Sequence, residues 1–138
     1  MNRKIKFRAK SKYNKKWYFG NLVYVKCENN HYIVNFDTNV YSEDNDYEYI
    51  IKDLDYIEVI PDTISQYTGL KDKNGVEVYE GDKVMFDYEW TNPTEIGIII
   101  WNKDTASFQI KGHIPSSSMK HLDRMKIVGN IYEDEVSE

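Results

Sequence analysis

The sequence predicts an all-β protein, and three observations carry that reading. Short apolar runs recur about every ten residues, separated by Gly, Asn and Asp turn signals, which is the rhythm of a sandwich or small barrel. Twelve tyrosines and three prolines favour strands over coil. Residues 65–82 (Ser-Gln-Tyr-Thr-Gly-Leu-Lys-Asp-Lys-Asn-Gly-Val-Glu-Val-Tyr-Glu-Gly-Asp) pack three glycines and an Asn-Gly pair between apolar residues. A chain of 138 residues makes one ordinary domain or two small subdomains. Pro61 lacks an N–H to donate to a ladder, so the boundary falls near 61–64 and divides the chain into 1–62 and 63–138.

In Lys4–Lys10, Ile5, Phe7 and Ala9 alternate with Lys4, Lys6, Arg8 and Lys10, a period of two that gives a half-buried strand with one basic face. Residues 11–16 form a polar turn centred on Asn14. Trp17–Val25 is aromatic and β-branched, a strand broken or bulged at Gly20. Asn29-Asn30 turns the chain, and His31–Phe36 returns as its hairpin partner. Residues 37–46 read as an acidic surface loop. Tyr47–Ile51 and Tyr56–Ile60 are strand-like, and periodicity also allows a short helix over 50–56.

In the second half, Asn74-Gly75 predicts a type I′ hairpin turn, because both residues tolerate a positive φ. Glu80-Gly81-Asp82 is a tight corner that launches Lys83–Tyr88, with Val84, Phe86 and Tyr88 on one face. Asn92-Pro93 turns the chain again. Glu95–Trp101 is a nearly continuous apolar strand, as expected where both faces are covered. Ala106–Ile110 pairs back. Residues 112–123 form a loop with room for a helical turn at Met119–Leu122, and Met125–Tyr132 closes the set before an acidic tail over 133–138. Val84, Phe86, Ile98, Ile100, Trp101, Phe108, Ile127 and Ile131 are the expected barrel core.

Charge is distributed unevenly. The net charge is −5, yet residues 1–16 hold eight cations and no acid, leaving ten of the 18 basic residues against all 23 acids. Residues 43–62 carry Glu43, Asp44, Asp46, Glu48, Asp53, Asp55, Glu58 and Asp62 against Lys52. An acidic protein is a poor general binder of nucleic acid, though a local basic patch can act. A single cysteine, Cys27, forms no internal disulfide and reads as a buried strand residue in a reducing cytoplasm. No run reaches the length of a membrane helix, and no apolar stretch follows the basic N-terminus, so the expectation is a cytoplasmic protein without a signal peptide.

The blocks Ile5-Lys6-Phe7-Arg8-Ala9 with Lys15-Lys16-Trp17, Gln66–Gly75, Val78–Val84, Gly97, Ile99, Trp101 and Phe108, and Val128–Glu133 resemble, in order and over most of the chain, the YopX family of phage and prophage proteins. The resemblance implies a mostly β fold with a small SH3-like β-barrel in the C-terminal half, and a tendency to self-associate. It implies no enzymatic activity and no catalytic or ligand residues.

The residues themselves offer little for chemistry. His31, His113, His121 and Cys27 lack the spacings of a metal site, and Ser116–Ser118 sit in no nucleophile elbow. Glu80 and Asp82 could project together as an acid–base or cation-binding pair. The better reading is structural, with Asp82 accepting from nearby backbone N–H groups while Gly81 takes a positive φ. Gly69 and Gly75 are turn glycines without the Gly-Lys-Ser/Thr of a phosphate loop. No cofactor and no metal is expected.

The basic strip is the remaining candidate. Arg3, Lys4, Lys6, Arg8, Lys10, Lys12, Lys15, Lys16 and Trp17 could track phosphates beside a stacking aromatic. Alternatively, they protect a strand edge, or dock on acids of the same chain or of another subunit. The sequence thus predicts a non-enzymatic phage accessory protein, acting as a self-associating binding module and a homo-oligomer. Nucleic-acid binding through the strip, in a regulatory role, is the alternative.

Overall fold

The computed structural model describes residues 3–35, 55–86 and 95–133, and its packing divides the chain into two units: Ile5–Ile64, and Ser65–Glu138 with Met1–Lys4. In the first unit, β1 (Phe7–Lys10), β2 (Trp17–Val25), β3 (Asn30–Asn35) and β4 (Asp55–Glu58) lie in the order β4-β3-β2-β1, all antiparallel. Ser11 and Val59 add a single bridge. The expected turn after β1 forms. The Ser11 N–H donates to the Lys16 carbonyl (2.9 Å), and Asn14 Oδ1 accepts from the Lys16 N–H (2.9 Å). The left-handed position falls on Lys15 (φ 61°) rather than on Asn14.

β2 runs through Gly20 without the expected break, because Gly20 is where its pairing changes hands. Trp17–Gly20 pair with β1, and Asn21–Val25 pair with β3. Ala9, Ile33 and Val59 are buried, with Phe7, Tyr18, Leu22, Ile57 and Ile64 packed around them. The alternation in Phe7–Lys10 therefore points as predicted, but the basic face is not uniformly solvated: Arg8 is 8% exposed. Cys27 is exposed in the β2–β3 turn, not buried in a strand.

The second unit contains β5 (Ser65–Lys71), β6 (Glu77–Tyr79), β7 (Asp82–Phe86), β8 (Gly97–Asn102), β9 (Ser107–Gly112) and β10 (Met125–Asn130). β5 pairs with β6, and the other four form an antiparallel sheet in the order β10-β7-β8-β9. That order overturns the SH3-like barrel. β9 and β10 lie at opposite ends of the sheet, and among the described residues no ladder joins them, so the sheet stays open. In place of a closing ladder, a 3₁₀ segment (Ser116–Arg124) packs against β9 and β10. Its Leu122, together with Ile114 just before it, enters the core with Val78, Val84, Ile99, Ile110 and Met125. The helical turn expected at Met119–Leu122 belongs to this longer segment, which is interrupted at His121 (φ −109°, ψ 21°).

Two local expectations change with it. The 72–76 hairpin is a three-residue loop, not a type I′ turn. The Gly75 N–H donates to the Asp72 carbonyl (3.0 Å), the Asp72 N–H donates to the Val76 carbonyl (2.8 Å), and the positive φ falls on Gly75 (79°) and not on Asn74. This is the type I turn with a left-handed glycine that three-residue hairpins favour. β8 is buried on one face, not both. Gly97 and Ile99 point inward, Ile98 and Ile100 are half-buried, and Trp101 is 48% exposed. A Cβ at Gly97 would collide with Ile110 Cγ2, so a glycine is what lets β9 pack there. Of the expected core, Val84 is buried, while Phe86, Phe108 and Ile127 pack around it. Ile98 and Ile100 give way to Ile99, and Trp101 and Ile131 lie at the surface.

The Glu80-Gly81-Asp82 corner forms as read. Gly81 has φ 84°, and a Cβ there would come within 2.9 Å of the Tyr132 ring. Asp82, 1% exposed, accepts the Tyr79 N–H at 2.8 Å. The strand expected at Tyr47–Ile51, the acidic loop, most of the alternative 50–56 helix, Tyr88, the Asn92-Pro93 turn and the tail beyond Glu133 lie outside the described residues.

Candidate interaction surface

The predicted basic strip is not one stripe. In β1, Arg8 pairs with Phe19 and Lys10 with Trp17, so these four side chains share the face of the sheet turned away from Ala9. The Arg8 guanidinium lies 4.6 Å from the Trp17 ring centre, and Lys10 Nζ lies 5.4 Å from it, both within cation–π range. Lys12 leaves the strip to meet Glu58, Nζ to Oε2 at 3.2 Å, where the Tyr13 hydroxyl also donates at 3.3 Å. Lys15 Nζ donates to the Lys12 carbonyl at 2.8 Å. Arg3, Lys4 and Lys16 are exposed and Lys6 is half-buried. The strip thus divides into a packed aromatic part, a turn and an exposed N-terminal part.

A second surface on the same unit follows from strand register and was not singled out in the sequence. Val23 pairs with Tyr32, and Val34 with Tyr56, so these side chains stand side by side on the outer face. Together with Val25 and Glu28 they line an open hollow of about 320 Å³. Val23 is 42% exposed and Tyr56 69%. The Tyr32 and Tyr56 rings meet edge to face, with centres 5.7 Å apart and planes at 74°. The Tyr32 hydroxyl donates to Glu28 Oε2 at 3.0 Å. The Asn30 amide beside that hydroxyl favours the phenolate, but the Glu28 hydrogen bond, desolvation and the charges of Glu28 and Glu58 together outweigh it and hold the Tyr32 pKa above its ordinary value. The signal was present in the sequence: Leu22-Val23-Tyr24-Val25 is apolar on both faces, whereas a strand exposed on one side alternates.

In the second unit, the turn-rich block works as structure. Asp72 Oδ1 accepts from the N–H groups of Asn74 (2.8 Å) and Val76 (2.9 Å), and Oδ2 from that of Ile127 (3.2 Å). One carboxylate therefore closes the hairpin and ties it to β10. Thr68 Oγ1 donates to the Val78 carbonyl (2.8 Å) where the β5–β6 register slips, and Gly69 (φ 88°) carries the bulge. Among the described residues, no group of three or more His, Cys, Asp or Glu comes together to hold a metal, and no helix is long and apolar enough to cross a membrane.

These features define a β-rich protein of antiparallel sheets whose glycine- and aspartate-bearing corners shape the backbone, with an apolar sheet face turned outward. The chain belongs to the YopX family: the family model described as YopX protein matches residues 6–136. Among solved structures, the chain is similar to protein EF1440 from Enterococcus faecalis, with a TM-score of 0.56 and 19% identity over 99% of this chain and 100% of that one. That likeness shows the fold. No curated protein matches the chain.

Proposed function

We propose that this protein is a non-enzymatic binding module that self-associates through the outer face of its N-terminal sheet. The observation that carries the reading is the apolar surface of Val23, Val34 and Tyr56 on the outside of a sheet whose other face already holds Ala9, Ile33 and Ile57. Large exposed apolar patches on soluble domains mark interaction sites. Four strands spaced ~4.8 Å apart and ~3.3 Å per residue give a face on the order of 500 Å². That is less than the ~800 Å² per partner of a standard stable complex, so the association is expected to be weak and concentration-dependent.

Light scattering across micromolar concentrations tests this. The wild type is expected to form a discrete oligomer, and Val23→Glu, at an exposed position, to return it to monomer with its fold intact by circular dichroism. A wild type that stays monomeric at high micromolar concentration overturns the reading.

A second reading, contact with nucleic acid through the basic strip, is supported by the Arg8 and Lys10 cations over Trp17 beside Phe19, which is 44% exposed. It predicts retention of single-stranded DNA or RNA that falls steeply with salt and is lost on charge reversal at exposed Lys4 and Lys16. Retention unchanged by that reversal removes it.

A further inference from the structure

We propose that the hollow on the outer face is a receptor for an alkylammonium group, filled by a lysine side chain from a second copy of the chain. The inference rests on reading this face as the binding surface, and it names the chemistry of the anchor. Tyr32 and Tyr56 present two aromatic walls at 74°, and Val23, Val25 and Val34 supply an aliphatic wall. The Glu28 carboxylate stands at the same hollow, oriented by the hydroxyl of one of those tyrosines at 3.0 Å. The volume of about 320 Å³ reaches the range of small-ligand sites.

Each class of occupant can be weighed against those walls. An anion meets the repelling carboxylate of Glu28. A neutral apolar group fits the valines but takes water from the carboxylate without replacing it, which costs free energy. A cation on an aliphatic stem satisfies all three: the methylenes lie on valine, and the ammonium meets the rings and the carboxylate. A second copy can supply such groups, since Lys4 and Lys16 are exposed in the N-terminal stretch.

The test uses the whole chain and N-acetyl-lysine methylamide as probe, followed by the aromatic resonances of Tyr32 and Tyr56. Saturable shifts are expected with the lysine probe, and binding at least about fivefold weaker with the neutral N-acetyl-norleucine analogue. Glu28→Gln and Tyr56→Ala, both at exposed positions, are each expected to weaken the lysine probe by about fivefold. Equal binding of the two probes, or no saturable shift at tens of millimolar (about the weakest binding worth assigning), overturns the proposal. If Val23→Glu still abolishes assembly while the probe fails to bind, the face remains the interface and the ammonium receptor falls. If the probe binds as expected while the wild type stays monomeric, the receptor stands and self-association falls.

Discussion

The two units are built from the same antiparallel hairpins but hold themselves together differently. In the second unit, buried carboxylates brace the corners. Asp72 accepts three backbone N–H groups, Asp82 accepts that of Tyr79, and the core beneath them is a contiguous set running from Val78 to Met125. In the first unit, the buried centre is smaller, at Ala9, Ile33 and Val59, and Val23, Val34 and Tyr56 line an open hollow on the other face. A unit whose turn donors are met by its own buried carboxylates over a contiguous core serves as a scaffold. One that leaves an apolar face open carries surface suited to a partner.

The contrast is broken most directly at β8. Ile99→Ala is expected to cost about 2–5 kcal/mol in urea denaturation, as a fully buried branched side chain does, while its neighbour Ile100→Ala costs less than about half of that. Equal losses would mean that the inward face of β8 has been misassigned. Next comes Asp72→Ala, expected to cost about 1–3 kcal/mol because buried N–H groups lose their acceptor. Hydrogen exchange should accelerate at Asn74, Val76 and Ile127 together. Acceleration confined to the hairpin would show that the tie to β10 contributes little.

Alkaline pH sharpens the comparison further. Burial, reinforced by the Glu77 carboxylate, raises the Tyr67 pKa above the ordinary value of 10.0. The folded state therefore holds that proton more tightly than the unfolded chain does. The stabilisation is fully present below about pH 10 and is lost as pH rises through the folded pKa. Phenolate absorbance should show Tyr67 ionising late alongside Tyr32, and Tyr67→Phe should diminish that late step without abolishing it. The smallest effect belongs to the first unit. Lys12→Ala, which breaks the Glu58 ion pair at an exposed lysine, should cost no more than about 1 kcal/mol, and less at high salt.

Much of the backbone was legible beforehand. The β2–β3 hairpin, the corner at Gly81 and the capping role of Asp82 follow from residue types whose conformational preferences act over a few positions. The type I′ expectation at Asn74-Gly75 failed for a local reason with a longer-range partner: Asp72 captures the Asn74 and Val76 N–H groups and draws the loop into three residues. The β8 core was misread because an unbroken apolar run does not say which alternate residues face in. Gly97 against Ile110 decides that, through a contact made across the ladder. The candidate surface was legible in part. The cations of the basic strip were visible, but not that Arg8 and Lys10 pack on Trp17 or that Lys12 turns to Glu58, because those partners depend on strand register.

The sequence by itself determined the β class, the family and, among the described residues, turns such as those at 11–16, 72–76 and Gly81. Alternation and turn chemistry are properties of neighbouring residues, and family membership is a matter of motif order. Tertiary structure decided that the C-terminal sheet stays open, because Ile114 and Leu122 fill the core from the connection between β9 and β10 in place of a closing ladder. It also decided that valines and tyrosines from three different strands meet beside Glu28 on one exposed face. Those outcomes depend on which residues pair across strands far apart in the chain, and a local pattern carries no record of that.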